Sequence, residues 1–162
     1  RLESQEKVEE AAFLLAEVLH AHEEAVAFLE RHGRLRLAPE LAEARDLPPG
    51  LVVRQWFLAG DRDRALRIAR HTGAFSDAAT RLERSRKIKE AAELRRLWAE
   101  GLAEAGDYAA AVDTLWPLTA ERHRALGWIV RAIEQGGAQA GRMMARKPIS
   151  STRDMAWSSV VV

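Results

Sequence analysis

Five histidines, His20, His22, His32, His71 and His123, are the first residues to weigh for chemistry. A helical metal site needs imidazoles three or four residues apart, on one face, or a Glu-bearing metalloprotease frame. His20 and His22 lie two apart and so point to different sides, with no such frame around them. His32 and His71 fall near expected helix C-termini, where positive charge is favoured. Asp61 and Asp63 have the spacing of a carboxylate pair, but Asp61 follows Gly60 as a helix cap. Asp63 lies among Arg62, Arg64 and Arg67, and no nucleophile or partner base stands beside it. Gly136-Gly137 and Gly141 are breaks with no strand before them, so no phosphate loop is formed. The chain has no Cys, which removes disulfides, Cys-type zinc sites and thiol catalysis together. The expectation is a protein that is not an enzyme, with no catalytic residue, no metal ligand and no cofactor.

Two other residue classes carry interaction chemistry. Arg81, Arg84, Arg86, Lys87 and Lys89 cluster as phosphate-neutralising cations would, yet Glu83 and Glu90 sit among them and no aromatic residue is there to stack on a base. Nucleic-acid binding through this segment is therefore the alternative, and a solvated connection between helices the leading reading. Trp56, Trp98, Trp116 and Trp128 fall within apolar helical stripes and are expected to pack. Trp157 differs, because it accompanies Val160-Val161-Val162 in a tail of changed texture.

Net charge is only +1, but its distribution is uneven. Eight acidic residues stand against Arg1 and Lys7 up to Glu30, whereas Arg31 to Arg96 carries sixteen basic and nine acidic residues. An acidic front and a basic middle can steer a charged partner or solvate outer helix faces.

The elements that must position these residues are helices. About thirty alanines, 48 % apolar residues and 30 % charged residues describe a folded helical chain. Apolar residues recur at three- and four-residue steps, cut by Gly, Pro or Asp every ten to eighteen residues. The spacing predicts helices over 5–20, 22–32, 35–45, 51–59, 62–71, 76–83, 90–105, 108–116 and 119–135, with a short tenth to about Lys147. Ser76 or Asp77 is the expected cap of the sixth, and 84–89 the link to the seventh. The stretch Leu51-Val52-Val53-Arg54-Gln55-Trp56-Phe57-Leu58 is the most apolar and is expected to be central. The expected layout is one helical domain over 1–147 and a poorly ordered tail over 148–162. No apolar window approaches the length of a membrane span, and the N-terminal segment lacks a signal design, so a cytoplasmic protein is expected.

Internal similarity is the strongest signal. Ala59-Gly60-Asp61-Arg62-Asp63-Arg64-Ala65-Leu66 aligns without gaps to Ala105-Gly106-Asp107-Tyr108-Ala109-Ala110-Ala111-Val112, and Leu19-His20-Ala21-His22-Glu23-Glu24-Ala25-Val26 is a weaker copy. Ala25, Ala65 and Ala111 are 40 and then 46 residues apart. The Gly106-Asp107-Tyr108-Ala109-Ala110-Ala111 copy resembles a tetratricopeptide repeat, with Trp98, Ala99, Leu102, Leu115 and Leu118 at matching positions. Arg95 and His123 depart from that pattern, and the longer period implies an extra helix per repeat. Less closely, Leu47-Pro48-Pro49-Gly50 through Gly60-Asp61, with Trp98-Ala99-Glu100, looks like a helical-repeat region of bacterial proteins associated with β-propellers, MoxR-type ATPases and von Willebrand A modules.

These resemblances imply an all-α solenoid of about ten short antiparallel helices, acting as a protein-binding scaffold in a bacterial multi-protein assembly. The partner would be another protein, of which a MoxR-type ATPase or von Willebrand A protein is one candidate. Regulation of a neighbouring ATPase is a further alternative. No membrane partner is expected, and the tail offers a route to self-association. In the tetratricopeptide family the first helix of each pair lines the concave face, which carries the partner-binding role onto Glu93, Arg96, Glu100 and Glu104. Weaker copies add Arg54, Phe57, Glu10 and Glu17.

Overall fold

The computed structural model describes residues 2–136, in which eight α-helices and one 3₁₀ turn account for all regular structure. Contacts divide the chain into two compact units, Arg1–Ala91 and Ala92–Val162.

The first unit opens with α1 (Leu2–Arg31), one continuous helix of 30 residues. This corrects the expected pair over 5–20 and 22–32: no Gly or Pro stands between Arg1 and His32, so nothing interrupts the backbone ladder near Ala21. The weak repeat copy from Leu19 to Val26 therefore lies inside a helix and forms no turn. α2 (Leu37–Ala44) buries Ala38, Pro39 and Ala42. α3 (Pro49–Leu58) starts on Pro49, because Pro48 is held extended by the proline after it and Pro49 already has a helical φ. Gly50 and every residue from Val52 to Phe57 are buried, and α3 packs against α2, α4 (Arg62–Thr72) and α5 (Phe75–Arg84).

Ala74, with no side-chain cap, precedes α5, in place of the expected Ser76 or Asp77. Burial of Phe75 draws it into the first turn. Asp77 turns instead toward α3 and accepts from Arg81 Nε at 3.0 Å. A Cβ on Gly50 would collide with that carboxylate, so only a residue without one fits there. The expected link over 84–89 shrinks to Ser85-Arg86-Lys87, since α5 extends to Arg84 and α6 (Ile88–Glu104) begins at once.

In the second unit, α7 (Tyr108–Leu115) and α8 (Arg122–Gln135) pack together, with a 3₁₀ turn over Thr119–Glu121 where the expected helix would have begun. Ala99, Ala109, Val112, Leu115, Ala125, Ile129 and Ala132 form its core. The expected tenth helix and the 148–162 tail, with Trp157, lie outside the described residues.

Two repeat copies share their backbone in detail. Gly60 and Gly106 have φ of 86° and 83°, and the following aspartates have φ, ψ of −85°, 73° and −88°, 70°. Asp61 and Asp107 accept from the amides of Arg64 and Ala110, at 3.2 and 3.1 Å. In each turn the glycine amide donates to the carbonyl three residues back and the aspartate amide to the carbonyl five back. One helix is thus closed by a left-handed glycine and the next opened by a carboxylate cap. Ala65 and Ala111, four residues after each aspartate, are fully buried.

Candidate functional site

A partly buried polar cluster links helices of the first unit, with Arg54 and Gln55 buried and Glu30 half-buried. Arg54 donates from Nη1 and Nη2 to the two oxygens of Glu30 at 2.7 and 2.9 Å, and from Nη2 to Ser85 Oγ at 3.0 Å. Gln55 Nε2 donates to Glu30 at 3.0 Å. The last turn of α1 is therefore tied to α3 and to the turn after α5. Burial by itself raises the Glu30 carboxyl, but hydrogen bonds from Arg54 and Gln55, with the charges of Arg54 and Lys87, outweigh it and leave the carboxyl below its ordinary value. Beside this cluster, the Trp56 indole donates to Glu43 at 2.9 Å, and Arg64 both donates to the same oxygen at 2.8 Å and lies 4.2 Å above the indole ring.

This arrangement decides where two of the expected partner-binding residues stand. Arg54 is 7 % exposed and bound to Glu30 and Ser85, and Phe57 is buried beneath Arg62. Neither presents its side chain on the surface of its own unit.

Glu10 and Glu17 are exposed on α1, and Glu93, Arg96, Glu100 and Glu104 lie along α6, where steps of three and four residues bring them to one side of the helix. Glu100 accepts from Arg124 at 2.7 Å, Arg124 lies 3.5 Å from Glu121, and Arg96 Nε lies 3.6 Å from Glu121 while lacking a hydrogen-bond acceptor of its own. Alternating charges thus tie α6 to the start of α8. Glu93 is partly buried, and Glu104 is exposed.

Next to Glu100 and Glu104 opens a groove whose remaining lining is Ala103, Tyr108, Trp128 and Arg131. Tyr108 and Trp128 are half-buried against the core, so their rings are fixed. Two carboxylates beside two aromatic rings suit a Lys or Arg side chain, attracted both by charge and by the ring faces, and Arg131 suits a peptide carboxylate. No residue of this lining is a nucleophile activated by a base. The repeat marks the glutamates in the sequence, whereas Trp128 stands there only as a residue of an apolar stripe. Its dual role depends on α8 lying against α7, which no local spacing reveals. Nothing local to Glu30 marks it in the sequence; the signal is Arg54-Gln55 interrupting an apolar helix, which calls for an acceptor elsewhere in the chain.

Among the described residues, no group of three or more His, Asp or Glu gathers as metal ligands would, and no helix is long and apolar enough to cross a membrane. His20 pairs with Glu24 at 3.0 Å, His32 donates to the Phe28 carbonyl at 2.9 Å and His123 to that of Ala120 at 3.0 Å. Of the basic cluster, Arg81 is paired with Asp77, while Arg84, Arg86, Lys87 and Lys89 are exposed. Comparison with family models, curated proteins and solved structures returns no match, so the likenesses to tetratricopeptide repeats and to bacterial helical-repeat proteins rest on the residues of this sequence alone.

Proposed function

We propose that the chain is a protein-binding module of the helical-repeat, solenoid type, which holds an extended segment of another protein through the groove at Glu100, Glu104, Tyr108, Trp128 and Arg131. The observation that carries this reading is the joining of fixed aromatic faces and carboxylates in one open groove. A basic side chain of the partner lies against Tyr108 and Trp128 and is neutralised by Glu104, while Arg131 meets an acidic group on the same segment. Glu100 is already bound to Arg124 and serves mainly to shape the groove wall.

The reading is tested with an array of extended peptides in which Lys, Arg, Asp and Glu are varied. Lys- or Arg-bearing peptides are expected to bind, and Trp128→Ala and Glu104→Ala each to weaken them at least tenfold with helicity unchanged. Equal retention of all peptides by these variants would reject the groove. Retention of RNA at low salt, lost on neutralising Arg84, Arg86, Lys87 and Lys89, would favour the nucleic-acid alternative.

A further inference from the structure

α1 carries an apolar face that its own unit leaves uncovered. Leu14, Val18 and Phe28 are 61, 50 and 52 % exposed, on a helix otherwise packed through its C-terminal part against α2. With Ala21 and Ala25 between them, these positions step four, three, four and three residues, the spacing of a coiled-coil seam. The seam from Leu14 to Phe28 is about 21 Å long at 1.5 Å per residue. One flank is closed: Val26 is buried, and His22 and Leu29 are partly buried. The open flank carries Glu3, Glu10, Glu17 and Glu24, all exposed and seven residues apart.

We infer that this face is a docking site for an amphipathic helix of another protein, with an apolar seam of its own and a row of Lys or Arg along the edge that meets the four glutamates. Charge selects the partner. A second copy paired antiparallel would set glutamate against glutamate, and one paired parallel would set Glu17 and Glu24 against His22 and Leu29, leaving the carboxylates without a row of Lys or Arg. An anionic lipid surface would repel the acidic flank, where surface-bound helices carry basic ones. A basic partner helix satisfies both the seam and its edge. The seam belongs to the first unit and the groove to the second, and the inference does not depend on the groove reading.

The test uses the full chain and three fluorescein-labelled designed peptides of eighteen residues: leucines at alternating three- and four-residue steps with lysine flanks, the same leucines with glutamate flanks, and a shuffled peptide of the first composition. Anisotropy is expected to show saturable binding of the lysine-flanked peptide, at least tenfold weaker binding of the other two, and loss of affinity with added salt. The Glu10→Lys, Glu17→Lys, Glu24→Lys triple variant should reverse the flank preference, and Leu14→Glu with Val18→Glu should abolish binding while circular dichroism stays unchanged. Trp128→Ala should leave it intact, which separates this site from the groove. Equal affinity for ordered and shuffled peptides, no saturation, a Leu14- and Val18-dependent dimer in sedimentation, or uptake onto phosphatidylserine vesicles would each overturn the proposal.

Discussion

Glu30 is the residue on which the first unit turns, since one carboxylate takes three hydrogen bonds from Arg54 and Gln55 across two helices. Glu30→Gln leaves the guanidinium of Arg54 buried without a counter-charge and is expected to cost about 3 kcal/mol in urea unfolding. The carboxyl is held below its ordinary 4.5, so the unfolded chain takes up the proton first on acidification. The stabilisation is complete above 4.5 and is lost as pH falls through the lower value of the folded state. Wild-type and Glu30→Gln stabilities should therefore converge in acid, and a constant gap down to acid unfolding would show that the pair is not the source. Gly50 makes a different demand, for space. Gly50→Ala forces α3 and α5 apart at Asp77 and should cost roughly 2 kcal/mol. Asp77→Ala should restore only part of it, because the Cβ of residue 77 stays 2.8 Å from the added methyl.

At the level of elements, one turn design is used repeatedly. The hydrogen-bond pair that closes α3 and α6 at Gly60 and Gly106 recurs after α1 at Gly33, after α2 at Asp46 and after α5 at Arg86. Asp46 and Arg86 take φ of 50° and 61°, a conformation that costs a residue with a Cβ about 1 kcal/mol, and less for Asp than for Arg. Arg86→Gly is expected to raise stability by roughly 0.5 kcal/mol after the added freedom of the unfolded chain is counted. A fall in the thermal midpoint would mean that the Arg86 side chain makes a stabilising contact. Turn chemistry explains why most helix limits were legible. Gly33, Gly60-Asp61, Gly73 and Gly106-Asp107 end or begin helices where expected, and Pro48-Pro49 sets the start of α3 to within two residues. The limits that moved at Ala21, at Ser76 and within 84–89 carry no Gly or Pro, whereas near Thr119 the chain leaves Pro117 through a 3₁₀ turn before α8 begins.

For the whole molecule, each compact unit has a core of its own, around Trp56 and Leu82 in the first and around Leu115 and Ile129 in the second. Ile129→Ala opens a cavity in the second core at a cost of about 2 to 4 kcal/mol. Amide hydrogen exchange is expected to accelerate in α7 and α8 and to stay slow in α3, α4 and α5. Equal acceleration in all five helices would show that the chain unfolds as one cooperative body.

Sequence by itself determined that the chain is helical, where most of its turns fall, and that Gly60-Asp61 and Gly106-Asp107 repeat one design. These are local properties, set by propensity, capping and backbone freedom within a few residues. It also brought Glu93, Arg96, Glu100 and Glu104 to one side of α6, because helical periodicity is local too. Tertiary structure decided which residues are available. Arg54 is drawn inward by Glu30, 24 residues away, and Phe57 by the packing of α3 among α2, α4 and α5. Tyr108 and Trp128 line one groove with Glu104 through the packing of α7 on α8. The exposed seam of α1 is visible as a pattern in the sequence, but only the fold distinguishes the edge turned toward α2 from the edge left open.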